Sequence, residues 1–139
     1  MKARVKWVEG MAFLGESGTG HAVVMDGAPE YGGKNLGPRP MEMLLLGLGG
    51  CTAFDVVLIL KKGRHAVEDC QVEMEAERAE TDPKVFTRIH MRYLVKGRGL
   101  KPEAVERAVG LSVEKYCSAT HILNKTAEIT HDIVIEETA

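Results

Sequence analysis

No C-x-x-C pair, no H-x-x-x-H and no cysteine–histidine cluster of zinc-ligand spacing occurs in the 139 residues, so the five histidines and three cysteines point to no metal centre. A Walker loop and a G-x-G-x-x-G turn ahead of a helix are missing too, which removes the usual support for nucleotide binding. Ser112 and Ser118 lie in no nucleophile elbow. Charge bias is also absent. A formal charge of −2 and a pI near 6.2 leave no electrostatic footprint for nucleic acid or anionic membrane. Met1–Trp7 carries charge with no apolar run behind it, so no secretory signal is expected and the cytoplasm is the expected compartment. There three cysteines, an odd number, argue against a structural disulfide framework. No internal repeat or low-complexity segment stands out.

What is present fits a single soluble domain, residues 1–139, with 45% hydrophobic and 27% charged residues. Ala3, Val5 and Trp7 alternate with Lys2, Arg4 and Lys6, the period of a half-buried strand. Ser17-Gly18 reads as a hairpin turn ahead of a strand over His21–Met25, closed by Asp26-Gly27. A Gly- and Pro-rich loop follows from Ala28 to Pro40. Pro40 suits a first helical position, and the apolar segment after it runs to Lys61-Lys62-Gly63, a basic last turn with a glycine stop. The segment approaches membrane-span length, yet Glu42 and Asp55 lie inside it, so a helix buried in protein is expected. Its apolar positions go nearly all the way round, which predicts the central helix of the fold.

Cys70, Val72, Met74 and Ala76 alternate with Gln71, Glu73, Glu75 and Glu77; after a turn at Thr81–Lys84, Ile89, Met91, Tyr93 and Val95 alternate with Arg88, His90, Arg92 and Lys96. That predicts an antiparallel hairpin with cross-strand ion pairs on its wet face, where His90 would be a surface residue. Pro102 opens a helix with Val105, Ala108, Val109 and Ser112 on one face. Ser118 is the expected N-cap of a short helix, and Ala127, Ile129, His131, Ile133 and Ile135 form a last strand. The fold class is α+β, with antiparallel sheets and helices on one face.

Two cysteines carry the chemical interest. Cys51 lies in Leu46-Gly47-Leu48-Gly49-Gly50-Cys51, where glycines inside a helix cost roughly 1 kcal/mol each relative to alanine. Close approach of another element, or an open pocket beside the thiol, would offset that cost. Cys117 sits beside Ser118, near the start of a short helix that would stabilise a thiolate. Cys70, on the apolar face of a strand, reads as core.

The run Pro40-Met41-Glu42-Met43-Leu44-Leu45-Leu46-Gly47-Leu48-Gly49-Gly50-Cys51, followed by Tyr116-Cys117-Ser118, resembles the OsmC/Ohr family, as does the order of elements over essentially the whole chain. The resemblance implies an intertwined homodimer with active sites formed between subunits. It also implies a thiol-dependent peroxidase, chemically like a peroxiredoxin, that acts on organic hydroperoxides in the oxidative stress response. Cys51 would be the peroxidatic nucleophile and Cys117 the resolving thiol. A dithiol such as a lipoylated protein would be the reductant, with no metal, haem or flavin cofactor. Two positions depart from the family's peroxidases. The Glu that should follow the helix-starting Pro is replaced by Met41, with Glu42 one step on, about 100° round the helix. The Arg of the N-terminal hairpin is absent from Glu9-Gly10-Met11-Ala12-Phe13, leaving Arg39 as the candidate replacement. Two readings follow: a two-cysteine peroxidase supported by Glu42 and Arg39, or a non-enzymatic dimer that binds a small apolar ligand in its interface cleft.

Overall fold

The structure is a computed structural model that describes residues 1–138. The chain divides into two compact units, the first Met1–Leu46 and the second from Gly47 onward.

In the first unit, β1 (Ala3–Glu9), β2 (Ala12–Ser17) and β3 (Ala22–Met25) form an antiparallel sheet in that order. Gly10, at φ 56°, makes the tight β1–β2 turn that a side chain would strain, and the register shifts between Trp7 and Glu9. The alternation in β1 is that of a strand, but every β1 residue is exposed, including Val5, Trp7 and Val8, so the expected half-burial is absent within the single chain. The following loop is organised by Asp26, which is only 2% exposed. Its Oδ1 accepts the N–H of Gly27 at 2.7 Å, and its Oδ2 accepts those of Lys34 and Leu36, both at 3.1 Å. Burial acts to raise the Asp26 pKa, but these three N–H groups and the nearby Arg39 charge outweigh it and hold the carboxyl below its ordinary value.

Helix α1 (Pro40–Lys62) begins in the first unit and continues into the second. Pro40 opens it as expected, and Glu42 Oε1 accepts the Arg39 N–H at 2.8 Å, half of a capping box. Beyond Gly47 its rows separate by burial. Leu48, Thr52, Val56 and Leu60, spaced by four, are buried; Cys51, Asp55 and Ile59 are half-buried; Phe54 and Leu58 are exposed. The expectation of a fully buried helix is therefore corrected: within one chain a whole side of an apolar helix stays uncovered, although its length and composition match a membrane span.

The second sheet is β4 (Ala66–Arg78), β5 (Phe86–Arg98) and β6 (Glu128–Glu137), with β5 in the middle. The β4–β5 hairpin is antiparallel, as expected. β6 instead runs parallel to β5, so the sheet is mixed rather than antiparallel throughout. The segment between them carries α2 (Pro102–Leu111), a π-helical turn (Ser112–Tyr116) and α3 (Ser118–Leu123), which is the crossover a parallel pair needs. Ile89, Met91, Tyr93 and Val95 of β5 form the core with Leu48, Val56 and Leu60 of α1 and Val105, Ala108 and Val109 of α2. Facing pairs such as Glu73 and Arg92 stand opposite one another, but the expected β4–β5 ion pairing is largely redirected. His90 and Arg92 reach Asp132 of β6 at 2.7 and 3.8 Å, and Lys96 reaches Glu136 at 3.3 Å. Glu68–Arg98, at 3.4 Å, joins β4 to β5.

Candidate active site

Helical spacing places Cys51 and Asp55 on one side of α1, a single turn apart. Cys117 reaches them from the other side of the second unit's sequence. After α2 the helix widens into the π turn, and the Cys117 N–H bonds to Ser112 O at 2.8 Å. Cys117 itself, not Ser118, caps α3, its Sγ accepting the Thr120 N–H at 3.4 Å. The two Sγ atoms and an Asp55 carboxylate oxygen all lie within 4.8 Å of one another.

A buried relay of hydroxyls holds this arrangement. Tyr93 OH and Thr52 Oγ1 are 2.7 Å apart, Thr52 Oγ1 and Ser112 Oγ are 2.8 Å apart, and the Ser112 hydroxyl donates to Asp55 Oδ2 at 2.9 Å. Because Ser112 spends its proton on Asp55, Thr52 donates to Ser112 and Tyr93 donates to Thr52. Burial pushes the Tyr93 pKa up to about 12, so the phenol keeps the proton that starts this chain. The relay ties β5, α1 and the π turn together at the residue next to Cys51.

The glycines preceding Cys51 divide into two kinds. A Cβ on Gly49 would lie 2.6 Å from Met74 Cε, so Met74 of β4 packs directly onto the helix backbone there. Gly47 and Gly50 have nothing within 4 Å of that position. Close approach, one of the two offsets considered for the glycine cost, is present at Gly49, whereas Gly47 and Gly50 are exposed.

The electrostatics of Cys117 differ from the sequence expectation. Burial raises its pKa and Cys51 adds to the rise, against the opposing influence of the Thr120 side chain and N–H. The thiol is therefore held protonated rather than activated, and it is fully buried while Cys51 is half-exposed to solvent. The Thr120 hydroxyl, buried without an oxygen or nitrogen partner among the described residues, bears on the same sulfur. Cys70 lies half-buried on β4, its pKa raised by burial and by Asp69. Arg39 donates to Asn35 Oδ1 at 3.1 Å and Gly37 O at 3.4 Å, so the hydrogen bonds of Arg39 and Glu42 serve the loop and the helix start.

Asp55 is the residue that sequence reasoning passed over, having counted it only as a charge interrupting an apolar run. Its signal was the C-x-x-x-D spacing on a helix. Beside it opens a cleft of about 480 Å³ with apolar walls from Leu58, Ile59 and Leu111 and with Lys62 and Arg107 on its lining.

These features define an α+β protein that gathers two thiols and a carboxylate at the half-buried row of a long helix. The chain belongs to the OsmC-like protein family, whose model matches residues 32–132. Protein YhfA of Escherichia coli K12 is 55% identical to it over 131 residues, covering 94% of this chain and 95% of YhfA. The crystal structure of a hypothetical protein from Aquifex aeolicus VF5 has a TM-score of 0.86 at 28% identity, covering 99% of this chain and 97% of that one. The organic hydroperoxide resistance protein OhrB of Bacillus subtilis has a TM-score of 0.62 at 18% identity, over 96% and 98% of the two chains, a likeness of fold.

Proposed function

We propose that the protein is a cytoplasmic thiol-dependent peroxidase of the oxidative stress response, which reduces organic hydroperoxides through Cys51 and Cys117. The observation that carries this reading is the approach of the two sulfurs to within 4.8 Å. A disulfide needs about 2.05 Å, so the two sulfurs have at most about 2.7 Å still to close. Cys51, the more accessible thiol, attacks the hydroperoxide as its thiolate. The O–O bond breaks, the alkoxide takes a proton and leaves as an alcohol, and Cys51 becomes a sulfenic acid. Cys117 then attacks that sulfur. A disulfide forms, and the hydroxyl leaves as water with the Cys117 proton. An external dithiol, such as a lipoylated protein, reduces the disulfide and completes the cycle. Seclusion of Cys117 suits a thiol that should meet only Cys51. The cleft beside Asp55 gives an organic hydroperoxide an apolar berth.

The uncovered row of α1, together with exposed Tyr116 and Ile122, supports a homodimer, since large apolar side chains clustered on a surface mark an interface. Glu42 and Arg39, the candidate substitutes for the family's Glu and Arg, support the site in this reading through the helix start and the loop before it, where their hydrogen bonds lie.

The test is addition of cumene hydroperoxide to the reduced protein, with thiols, peroxide and peptide map followed together. Stoichiometric loss of both reactants with a Cys51–Cys117 disulfide is expected. Thiols that survive millimolar peroxide would sink the peroxidase. The same cleft favours a second reading, a dimer that binds an apolar ligand without turnover, for which saturable ligand binding with unchanged thiols is the expected result.

A further inference from the structure

We propose that Cys51, Asp55 and Cys117 form a binding site for one thiophilic divalent cation of the zinc and cadmium type. The peroxide chemistry described above assigns Asp55 no role, yet the fold delivers its carboxylate to both sulfurs. Each of the three residues offers one ligand atom, and all three atoms already lie within 4.8 Å of one another. Around a tetrahedral zinc, bonds of about 2.3 Å to sulfur and about 2.0 Å to oxygen set the ligand atoms roughly 3.5–3.8 Å apart. Each pair is thus at most about 1.0–1.3 Å from closing on the ion.

The donor set selects the metal. Two sulfurs and one oxygen suit zinc and its softer analogue cadmium, whereas calcium and magnesium need a shell of six or more oxygens. Three protein ligands leave a fourth tetrahedral position for water or an exogenous group, and Asp55 lines the cleft through which either would enter. The surrounding groups orient the ligands as metal sites require. Ser112 fixes Asp55 by donating to Oδ2, leaving Oδ1 available, and the Thr120 N–H donates to Cys117 Sγ. The Thr52–Tyr93 hydroxyls brace Ser112 in turn. Local spacing pairs only Cys51 with Asp55, and the third ligand, Cys117, arrives through the fold.

Binding deprotonates the two thiols, so two protons are released per ion. It also occupies the sulfurs that a disulfide would join. Metal-loaded and disulfide forms therefore exclude one another, and the ion shields both thiols from oxidants.

The experiment is anaerobic titration of the reduced full chain with cadmium, read by thiolate-to-cadmium charge-transfer absorption and by cadmium NMR. One ion per chain is expected, with the intensity of two thiolates and a resonance in the range of a mixed sulfur–oxygen shell. Asp55→Asn should weaken binding roughly tenfold or more, the scale seen when even an outer partner is lost, while keeping the two-thiolate band. Cys51→Ser should halve that band, and Cys70→Ser should leave it intact. Equal affinity in Asp55→Asn and wild type, or a titration that depends on Cys70, overturns the site. Should Asp55→Asn misfold, the NMR position on wild-type protein still decides, since an all-sulfur resonance excludes the carboxylate. Protein that consumes hydroperoxide but takes up no cadmium loses the cation site alone, and the converse loses the peroxidase alone.

Discussion

Asp26 and Asp55 are two aspartates drawn out of bulk water and held in opposite ways. Asp26 has both oxygens engaged by backbone N–H groups, three in all. Asp55 receives one hydroxyl hydrogen bond on one oxygen and has two sulfurs within 4.8 Å of a carboxylate oxygen. A carboxylate saturated by backbone donors is locked, and its work is done once the loop is folded. One with a spare oxygen beside nucleophilic or metal-binding atoms remains available. The first unit spends its polar groups on shape, while the second keeps some unspent.

The sharpest way to break that contrast is to remove single thiols from the second unit and follow the activity. Cys51→Ser should abolish hydroperoxide consumption altogether, while Cys70→Ser, on the neighbouring strand, should leave the initial rate unchanged. Equal peroxide consumption by wild type and Cys51→Ser would remove the second unit's claim to the reaction.

Next in size is the acid stability of the first unit. Because the Asp26 pKa is depressed in the folded chain, its stabilising contribution is fully present above the unfolded value of about 3.9 and is lost as pH falls through the folded value. The Tm of the wild type should therefore drop more steeply below about pH 4 than that of Asp26→Asn. At neutral pH the variant should melt several degrees lower with its thiol reactivity intact. Parallel pH profiles of the two proteins would show that Asp26 is not locked as described.

The hydroxyl relay is expected to matter less to stability than either. Tyr93→Phe deletes one buried hydrogen bond and should cost about 1 kcal/mol, a fall in Tm of roughly 2–8 °C. Since the relay ends on Asp55, the same change should also loosen cadmium binding, measured in the titration above.

Much of this was legible in the residues themselves. Strands β1, β3, β4 and β5, the long helix and the helix opened by Pro102 announce themselves by period and by Pro and Gly punctuation, which are local properties. The motif around Cys51 and the Tyr116-Cys117-Ser118 triplet marked both cysteines. What was not legible depends on partners distant in the chain. Alternation in Ile129, His131 and Ile133 marks a strand but does not say that it lies parallel to β5. Ser118 has the better capping side chain, yet the π turn delivers Cys117 to that position instead. The exposure of β1 and of Phe54 on α1 likewise has no counterpart in periodicity, which reports which faces are apolar and not what covers them.

The smallest expected effect separates the helix start from the thiols. Glu42 caps α1 from an exposed position, with its Oε1 on the Arg39 N–H. Glu42→Ala should therefore cost about 0.5–1 kcal/mol of stability, in the range of a lost helix cap. Glu42→Gln keeps an oxygen acceptor and should recover most of it. Neither variant should move the pH profile of hydroperoxide consumption, because a cap acts on the helix and not on the thiol. If Glu42→Ala instead slowed consumption by tenfold with its Tm unchanged, the carboxylate would be acting on Cys51. The division between a shaping first unit and a reactive second one would then fail at the helix they share.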